Sequence, residues 1–269
     1  MSKKELNGLE VAEFIQARQA SRVRVLKSAQ HVTPRLAIVR TNKSQVIDTY
    51  LKLKQRYAEV IGAEVEVLQV SEAKAVSLIQ DLNKREDIQG IIVQLPLEKT
   101  EFTDKLLNAI DSQKDVDGLA TVSHYDPATP TAILWLLSAY NIEPLGKTVL
   151  VVGQGRLVGA PLTKMLTRSG VGVFTADETT EDLKSLVLTA DIIISATGHP
   201  RLISEDMVKL DAVVVDAGTA SENGVIVGDV DGDVRNRDDL KVTPIKGGVG
   251  PLTIAALFDN LLRACEAKL

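Results

Sequence analysis

The feature that most limits the fold is a series of short β-branched runs separated by longer stretches with helical spacing. LAIVR (36–40), VEVLQV (65–70) and GIIVQL (90–95) come first. VLVVG (149–153), VGVFT (171–175), DIIIS (191–195) and AVVVD (212–216) follow. Runs this rich in Val and Ile suit strands buried on both faces. Helical patterns span about 8–29, 44–61, 72–86, 103–110, 130–140, 157–169 and 181–188. Strand and helix in alternation require parallel sheets with crossover helices.

A loop-like stretch, DGLATVSHYDPATP (117–130), divides the first three strands from the rest. Thr129 reads as an N-cap and Pro130 as a first-turn residue of the helix that follows. A chain of 269 residues has room for two domains. A last helix, roughly 251–267, follows a glycine-rich turn and could pack back on the first domain.

In the second half, VVGQGRLVGAPL (151–162) sets Gly153, Gly155 and Gly159 between a strand and a helix. That is the dinucleotide-binding arrangement: one glycine for the tight turn, one for close approach to a pyrophosphate, one for helix–strand packing. A tight βα turn with no ligand is the plain alternative. Gln154 and Arg156 lie within the turn, and Thr197-Gly198 follows the DIIIS strand, so all four join the cofactor-side residues. Asp177, past the next strand, stands where a carboxylate accepts from the adenosine ribose hydroxyls; it could equally be a solvated loop acid. The fold class is therefore α/β with two domains. Residues 1–119 plus 251–269 form an N-terminal three-layer α/β substrate domain, and 120–250 form a Rossmann-type parallel-sheet nucleotide domain.

In the first half, Ile47, Leu51, Ala58 and Ile61 make one helical stripe, and Lys54 falls inside it with Tyr50 one turn before. The lysine stem could cover apolar surface while its ammonium reaches water, or it could pair with a carboxylate. Alternatively, desolvation lowers its pKa and fits it for proton transfer near neutral pH. Gln94 ends a buried strand, Asp117 sits in KDVDG (114–118), and PIKGGVGPLT (244–253) is a flexible turn. None of these is specific alone.

Composition excludes several classes. The net charge of −5 argues against nucleic acid and anionic membrane surfaces. Three scattered histidines (His31, His124, His199) offer no metal-ligand spacing, so no metal is expected. The single cysteine, Cys265, allows no internal disulfide and fits a reduced, cytoplasmic setting. The N-terminal MSKKELNGLEVAEFIQ is expected to be an amphipathic helix rather than a signal peptide or a membrane span.

Taken in order and spacing, Tyr50-x-x-x-Lys54, Gln94-Leu-Pro-Leu97, Lys114-Asp-Val-Asp-Gly118, the Gly153–Gly159 turn, Gly228-Asp-Val-Asp231 and Gly247-Gly-Val-Gly-Pro-Leu-Thr253 resemble one family. It is the bifunctional methylenetetrahydrofolate dehydrogenase/methenyltetrahydrofolate cyclohydrolase family, and the likeness runs from Asn7-Gly8 to the last helix. The resemblance implies a homodimer, a folate cleft between two α/β domains, and oxidation of 5,10-methylenetetrahydrofolate with NAD(P) followed by hydrolysis to 10-formyltetrahydrofolate. It implies that Lys54 assists the proton transfers, Tyr50 packs on the folate, Gln94 (with Leu95 beside it) tunes the lysine, and Asp117 grips the pterin edge. Gly247, Gly248 and Pro251 would border the folate.

The chain departs from the family at Pro127-Ala-Thr-Pro130, at Lys246 and at Ile47. It also has Gln154-Gly155 and Asp177 where NADP-linked relatives carry Arg-Ser and a serine that hold the 2′-phosphate. NAD is therefore expected over NADP, with Arg156 as the reason to keep NADP as the alternative. A dehydrogenase-only relative, a non-catalytic folate or nucleotide sensor, and a shikimate-type dehydrogenase are the competing readings. Lys54, the full set of four first-domain residues and the GGVGP turn weigh against them respectively.

Overall fold

The structure is a computed structural model that describes residues 4–222 and 225–267. Residues 1–3 of the N-terminal stretch and 268–269 of the C-terminal domain span lie outside the described residues. The first part of the chain runs β1 (Lys4–Glu5), α1 (Gly8–Gln30), β2 (Arg35–Arg40), α2 (Gln45–Ile61), β3 (Glu64–Gln69), α3 (Glu72–Lys84), β4 (Gly90–Val93) and α4 (Thr103–Leu107). It continues with α5 (Ala128–Ala139), β5 (Val149–Val152), α6 (Gly159–Arg168), β6 (Val173–Ala176), α7 (Leu183–Thr189), β7 (Ile192–Ser195) and β8 (Val213–Asp216). The hairpin β9 (Ala220–Glu222) and β10 (Val225–Val227) precedes α8 (Gly232–Asn236), β11 (Lys241–Val242) and α9 (Val249–Glu266).

The chain packs as two units. One takes residues up to Ala12 with Thr129–Thr253; the other takes Glu13–Ala128 with the chain from Ile254. The boundaries fall inside α1, α5 and α9, not at the 119/120 and 250/251 junctions drawn from sequence. One reason is β1, a two-residue polar strand with no sequence signature, which pairs in parallel with β11.

In the second unit the sheet order is β3-β2-β4, all parallel. The chain leaves β2 for β3 on one side and then returns to β4 on the other. That reversal is a topological switch point, where open α/β sheets bind ligands at the carboxyl ends of their strands. Val39, Ile79, Ile91, Leu106 and Leu107 fill the core on one face. Each fully buried branched side chain contributes about 1.5–3 kcal/mol.

In the first unit the order is β1-β11-β8-β7-β5-β6, again parallel throughout. The reversal here falls between β5 and β7. Val152, Ile193, Ile203, Val214 and Val230 belong to its core.

Two strand expectations need correction. The composition of VGVFT and VEVLQV suits strands buried on both faces, but β6 and β3 are sheet edges. Phe174 is 57% exposed, and every described β3 side chain keeps some surface. A Val-rich run shows β propensity, but its neighbours decide burial. The helix start expected at Thr129-Pro130 also moves: α5 begins at Ala128, so Thr129 and Pro130 lie inside its first turn. Proline fits there because the first N–H groups of a helix have no intrahelical acceptor.

Candidate active site

Helix α2 carries Tyr50 and Lys54. Ser44 caps it by accepting from the Ile47 N–H at 3.2 Å, and Gly62 ends it at φ +84° with its N–H on Ala58 O at 2.9 Å. Arg40, at the end of β2, holds the entry turn through Asp48 at 2.6 Å. The stripe of Ile47, Leu51, Ala58 and Ile61 is buried to 4% exposure or less. It turns α2 so that Lys54, on the same face, is half-buried.

Lys54 Nζ donates to Gln94 Oε1 at 2.9 Å. Gln94 extends from the end of β4, and its own N–H bonds to Val39 O of β2 at 2.8 Å. Its side-chain Nε2 donates to Leu95 O at 2.8 Å, which fixes the amide with oxygen toward the lysine. Lys54 and Gln94 therefore meet at the switch point of the three-stranded sheet. Burial pushes the Lys54 pKa down, and the negative charge of Asp117 only partly offsets it. Burial pushes Asp117 up to about 6; Lys54 pulls it down and Asp115 adds to the rise. Both side chains keep some exposed surface, yet the protein around them governs their ionisation. The Lys54–Asp117 attraction is real but weaker than the desolvation of either partner.

The KDVDG segment divides its labour. Lys114 is a helix cap: its buried Nζ donates to Leu82 O (3.1 Å), Asn83 O (2.8 Å) and Arg85 O (2.6 Å) at the carboxyl end of α3. Asp115 is fully buried, and its Oδ2 accepts from the Ala120 N–H at 3.0 Å. Asn260, on α9, donates to Val116 O and Asp126 O at 3.0 Å each. Sequence reasoning singled out neither Asp115 nor Asn260. The available signal for Asn260 was an amide on the apolar face of the last helix, which is buried at 4% exposure.

The other predicted residues gather in the first unit. The glycine turn leaves β5 at the second switch point. A side chain on Gly153 (φ +90°) would meet Ala196 O at 2.7 Å, and one on Gly159 would meet Gly153 O at 1.7 Å. Gly155 differs, because nothing lies within 4 Å of a Cβ there. Packing demands glycine at the first and third positions but leaves the second open, as a pyrophosphate approach requires. Helix α6 begins just beyond with no side-chain cap; the Ala160 N–H donates to Gly155 O at 3.2 Å, Pro161 has no N–H, and the Leu162 N–H donates to Val158 O at 2.9 Å.

Gln154 turns back on this loop. Its Nε2 contacts Gly153 O at 3.2 Å, and its Oε1 accepts from Thr163 at 3.4 Å. Arg156 is exposed. Asp177, past the end of β6, accepts at Oδ1 from the Thr179 N–H (2.9 Å) and hydroxyl (2.7 Å). Those bonds hold its pKa below the ordinary carboxylate value. Asp177 thus organises a turn with one oxygen and remains ionised.

Thr197 and Gly198 follow β7. The Thr197 N–H donates to Asp229 Oδ2 at 2.7 Å, and the Ser195 hydroxyl donates to the same oxygen at 2.8 Å. Asp229, fully buried, is in turn held by Asp216, whose Oδ1 accepts the Asp229 N–H at 3.0 Å. Arg235 pairs with Asp216 at 2.6 Å. Asp229 lies in the Gly228–Asp231 segment that carries the resemblance, but the sequence assigns it no role. Gly247 (φ +85°), Gly248 and Pro251 lie at the start of α9 in this first unit, not in the unit of Lys54. Leu9 N–H donates to Gly247 O at 2.9 Å, and a side chain on Gly8 would meet Gly248 O at 1.9 Å. The first residues of α1 therefore brace this turn.

The tetrahydrofolate dehydrogenase/cyclohydrolase catalytic-domain model matches residues 6–117, and the NAD(P)-binding-domain model of the same family matches 127–269. The chain is 37% identical over 283 aligned residues to the bifunctional protein FolD of Lysinibacillus sphaericus, covering 100% of this chain and 99% of that one. Among solved structures it resembles the FolD dehydrogenase/cyclohydrolase of Campylobacter jejuni, with TM-score 0.92, 33% identity and coverage of 98% and 99%. It also resembles the Trypanosoma brucei enzyme solved with NADP and an inhibitor, with TM-score 0.92, 30% identity and 97% coverage of each chain. With both family models matched in order along nearly its whole length, this chain belongs to the tetrahydrofolate dehydrogenase/cyclohydrolase family.

Proposed function

We infer that the protein oxidises 5,10-methylenetetrahydrofolate to the methenyl form with a nicotinamide dinucleotide, then hydrolyses that product to 10-formyltetrahydrofolate. The observation that carries this reading is the hydrogen bond from desolvated Lys54 to Gln94 at a switch point, with Asp117 acting on the same lysine. A dehydrogenase alone has no use for a lysine with a lowered pKa. Hydrolysis needs one.

When bound, a nicotinamide dinucleotide would supply the acceptor for the hydride leaving the methylene carbon, and the turn of Gly153, Gly155 and Gly159 would hold its pyrophosphate. The remaining steps belong to side chains. A neutral Lys54 amine removes a proton from the water that adds to the methenyl carbon. The resulting ammonium returns that proton to the folate nitrogen as its C–N bond breaks, and the new hydroxyl loses its proton to solvent as the formyl C=O forms, so one proton is released and the lysine ends as it began. Gln94 Oε1 aims the amine. An ionised Asp117 accepts from the pterin amino and ring N–H donors, and Tyr50, one turn before Lys54, supplies an aromatic face.

We assign NAD as the preferred cofactor. Asp177 is ionised and exposed, and its negative charge opposes a 2′-phosphate, while Gln154 turns inward. Absorbance-monitored turnover of methylenetetrahydrofolate with each cofactor tests both claims. Expected are cofactor reduction and methenyl hydrolysis, a higher kcat/KM with NAD, and a gain of at least about tenfold for NADP in Asp177→Ser. A higher kcat/KM for NADP in the wild type contradicts the assignment. We further take the enzyme to act as a cytoplasmic homodimer. The exposed β6 edge with Phe174 offers a self-pairing surface, and a single cysteine, the buried Cys265, allows no internal disulfide. No described helix is long and apolar enough to cross a membrane.

A further inference from the structure

Asp115 has no part in the mechanism above, yet it stands two residues before Asp117 and is buried more deeply. It is fully buried, and its Oδ2 takes the Ala120 N–H at 3.0 Å. Its backbone carbonyl takes the Gly118 N–H and the Ser123 hydroxyl, each at 3.1 Å. Oδ1 is enclosed without a hydrogen bond of normal geometry, although the Leu119 and Gly118 N–H groups and Ser123 lie close enough to favour charge. Asp117 and Gly118 therefore sit inside a turn closed at both ends by one residue. A buried carboxylate with one unpaired oxygen is costly. Asparagine would fill the same space and can accept the same Ala120 bond without the charge.

We propose that Asp115 is a positioning residue for the folate site: its carboxylate closes the turn that presents Asp117 and places a second negative charge beside it. The charged groups acting on Asp117 are Lys54, from α2, and Asp115, from its own turn. Lys54 favours the ionised, folate-gripping form, and Asp115 opposes it. The two carboxylates then titrate as a coupled pair, and the proton held near Lys54 is set by both. The proposal rests on the reading of Asp117 as the pterin-binding carboxylate.

The test is the pH profile of kcat/KM for methenyltetrahydrofolate hydrolysis in wild type and Asp115→Asn. The amide keeps an acceptor for Ala120 and removes the charge. The acid limb is expected to move to lower pH by roughly one unit, because a like charge has been removed from the site. A purely structural residue would change amplitude or stability but not the position of that limb. Superimposable profiles overturn the proposal. If Asp115→Asn does not fold, carbon-13 NMR titration of the wild-type aspartates decides: an inflection of the Asp117 signal at the midpoint of the Asp115 carboxyl supports it, and an Asp117 curve with no inflection there overturns it. Asp117→Ala separates the two claims. If that variant keeps a wild-type KM for folate, the reading of Asp117 fails. If its KM rises while the Asp115→Asn profile does not move, only the proposal for Asp115 fails.

Discussion

Lys54 and Gln94, forty residues apart, share one hydrogen bond of 2.9 Å, and the amide of Gln94 is locked by its donor on Leu95 O. The lysine therefore faces a fixed neutral acceptor. A neutral acceptor aims an amine without adding to its proton affinity, whereas a carboxylate in the same place would hold the proton.

That distinction predicts the behaviour of Gln94→Glu. The introduced charge should raise the proton affinity of Lys54 by roughly 1–3 pH units. The alkaline shift should appear in the hydrolysis profile, with a fall of at least about tenfold at neutral pH. Hydrolysis rates between pH 6 and 10 check it, and an unmoved profile means that Gln94 does not govern the lysine.

Asp117 has a stability consequence of opposite sign to the usual ion-paired aspartate. Its folded-state pKa, about 6, lies above the ordinary 3.8. Below pH 4 both folded and unfolded chains carry the proton and no difference arises. Between 4 and 6 the unfolded chain ionises first, so stability falls as pH rises; above 6 the folded chain bears the full cost. Asp117→Asn should be more stable than wild type at pH 7.5, by about 1–2 kcal/mol after allowance for partial exposure. The gap should close toward pH 4. Urea unfolding at the two pH values measures it.

The buried Asp229 makes a separate prediction. Removing its carboxylate in Asp229→Ala leaves the Ser195 hydroxyl and the Thr197 N–H without their acceptor. Each orphaned donor costs about 1–3 kcal/mol. The KM for the nicotinamide cofactor should rise far more than the KM for methenyl hydrolysis, because the loosened turn is the one after β7. Equal losses in both reactions would mean that Asp229 serves only folding.

The sequence made some of this visible and hid the rest for a physical reason. Lys54 was conspicuous because Ile47, Leu51, Ala58 and Ile61 define an apolar stripe that it interrupts. Gln94 was conspicuous because an amide ended a GIIV strand. Both signals are local. Asp115, Asn260 and Asp229 act through partners that only the folded chain brings near: Asn260 reaches Val116 across 144 residues and Asp229 reaches Ser195 across 34. Lys114 shows the converse, a motif lysine whose role is to cap α3. The strands were legible from Val and Ile, but the edge positions of β3 and β6 were not, since burial depends on which strands pair. Two-residue β1 was invisible for the same reason.

The central claim is that Lys54 moves the proton in hydrolysis. Its direct test is the rate of methenyltetrahydrofolate hydrolysis by Lys54→Ala, with cofactor affinity measured in parallel by fluorescence titration. A loss of roughly 10²–10⁴-fold in hydrolysis, with cofactor affinity unchanged, is the predicted result. Hydrolysis at the wild-type rate would show that Lys54 is a structural lysine and contradict the account.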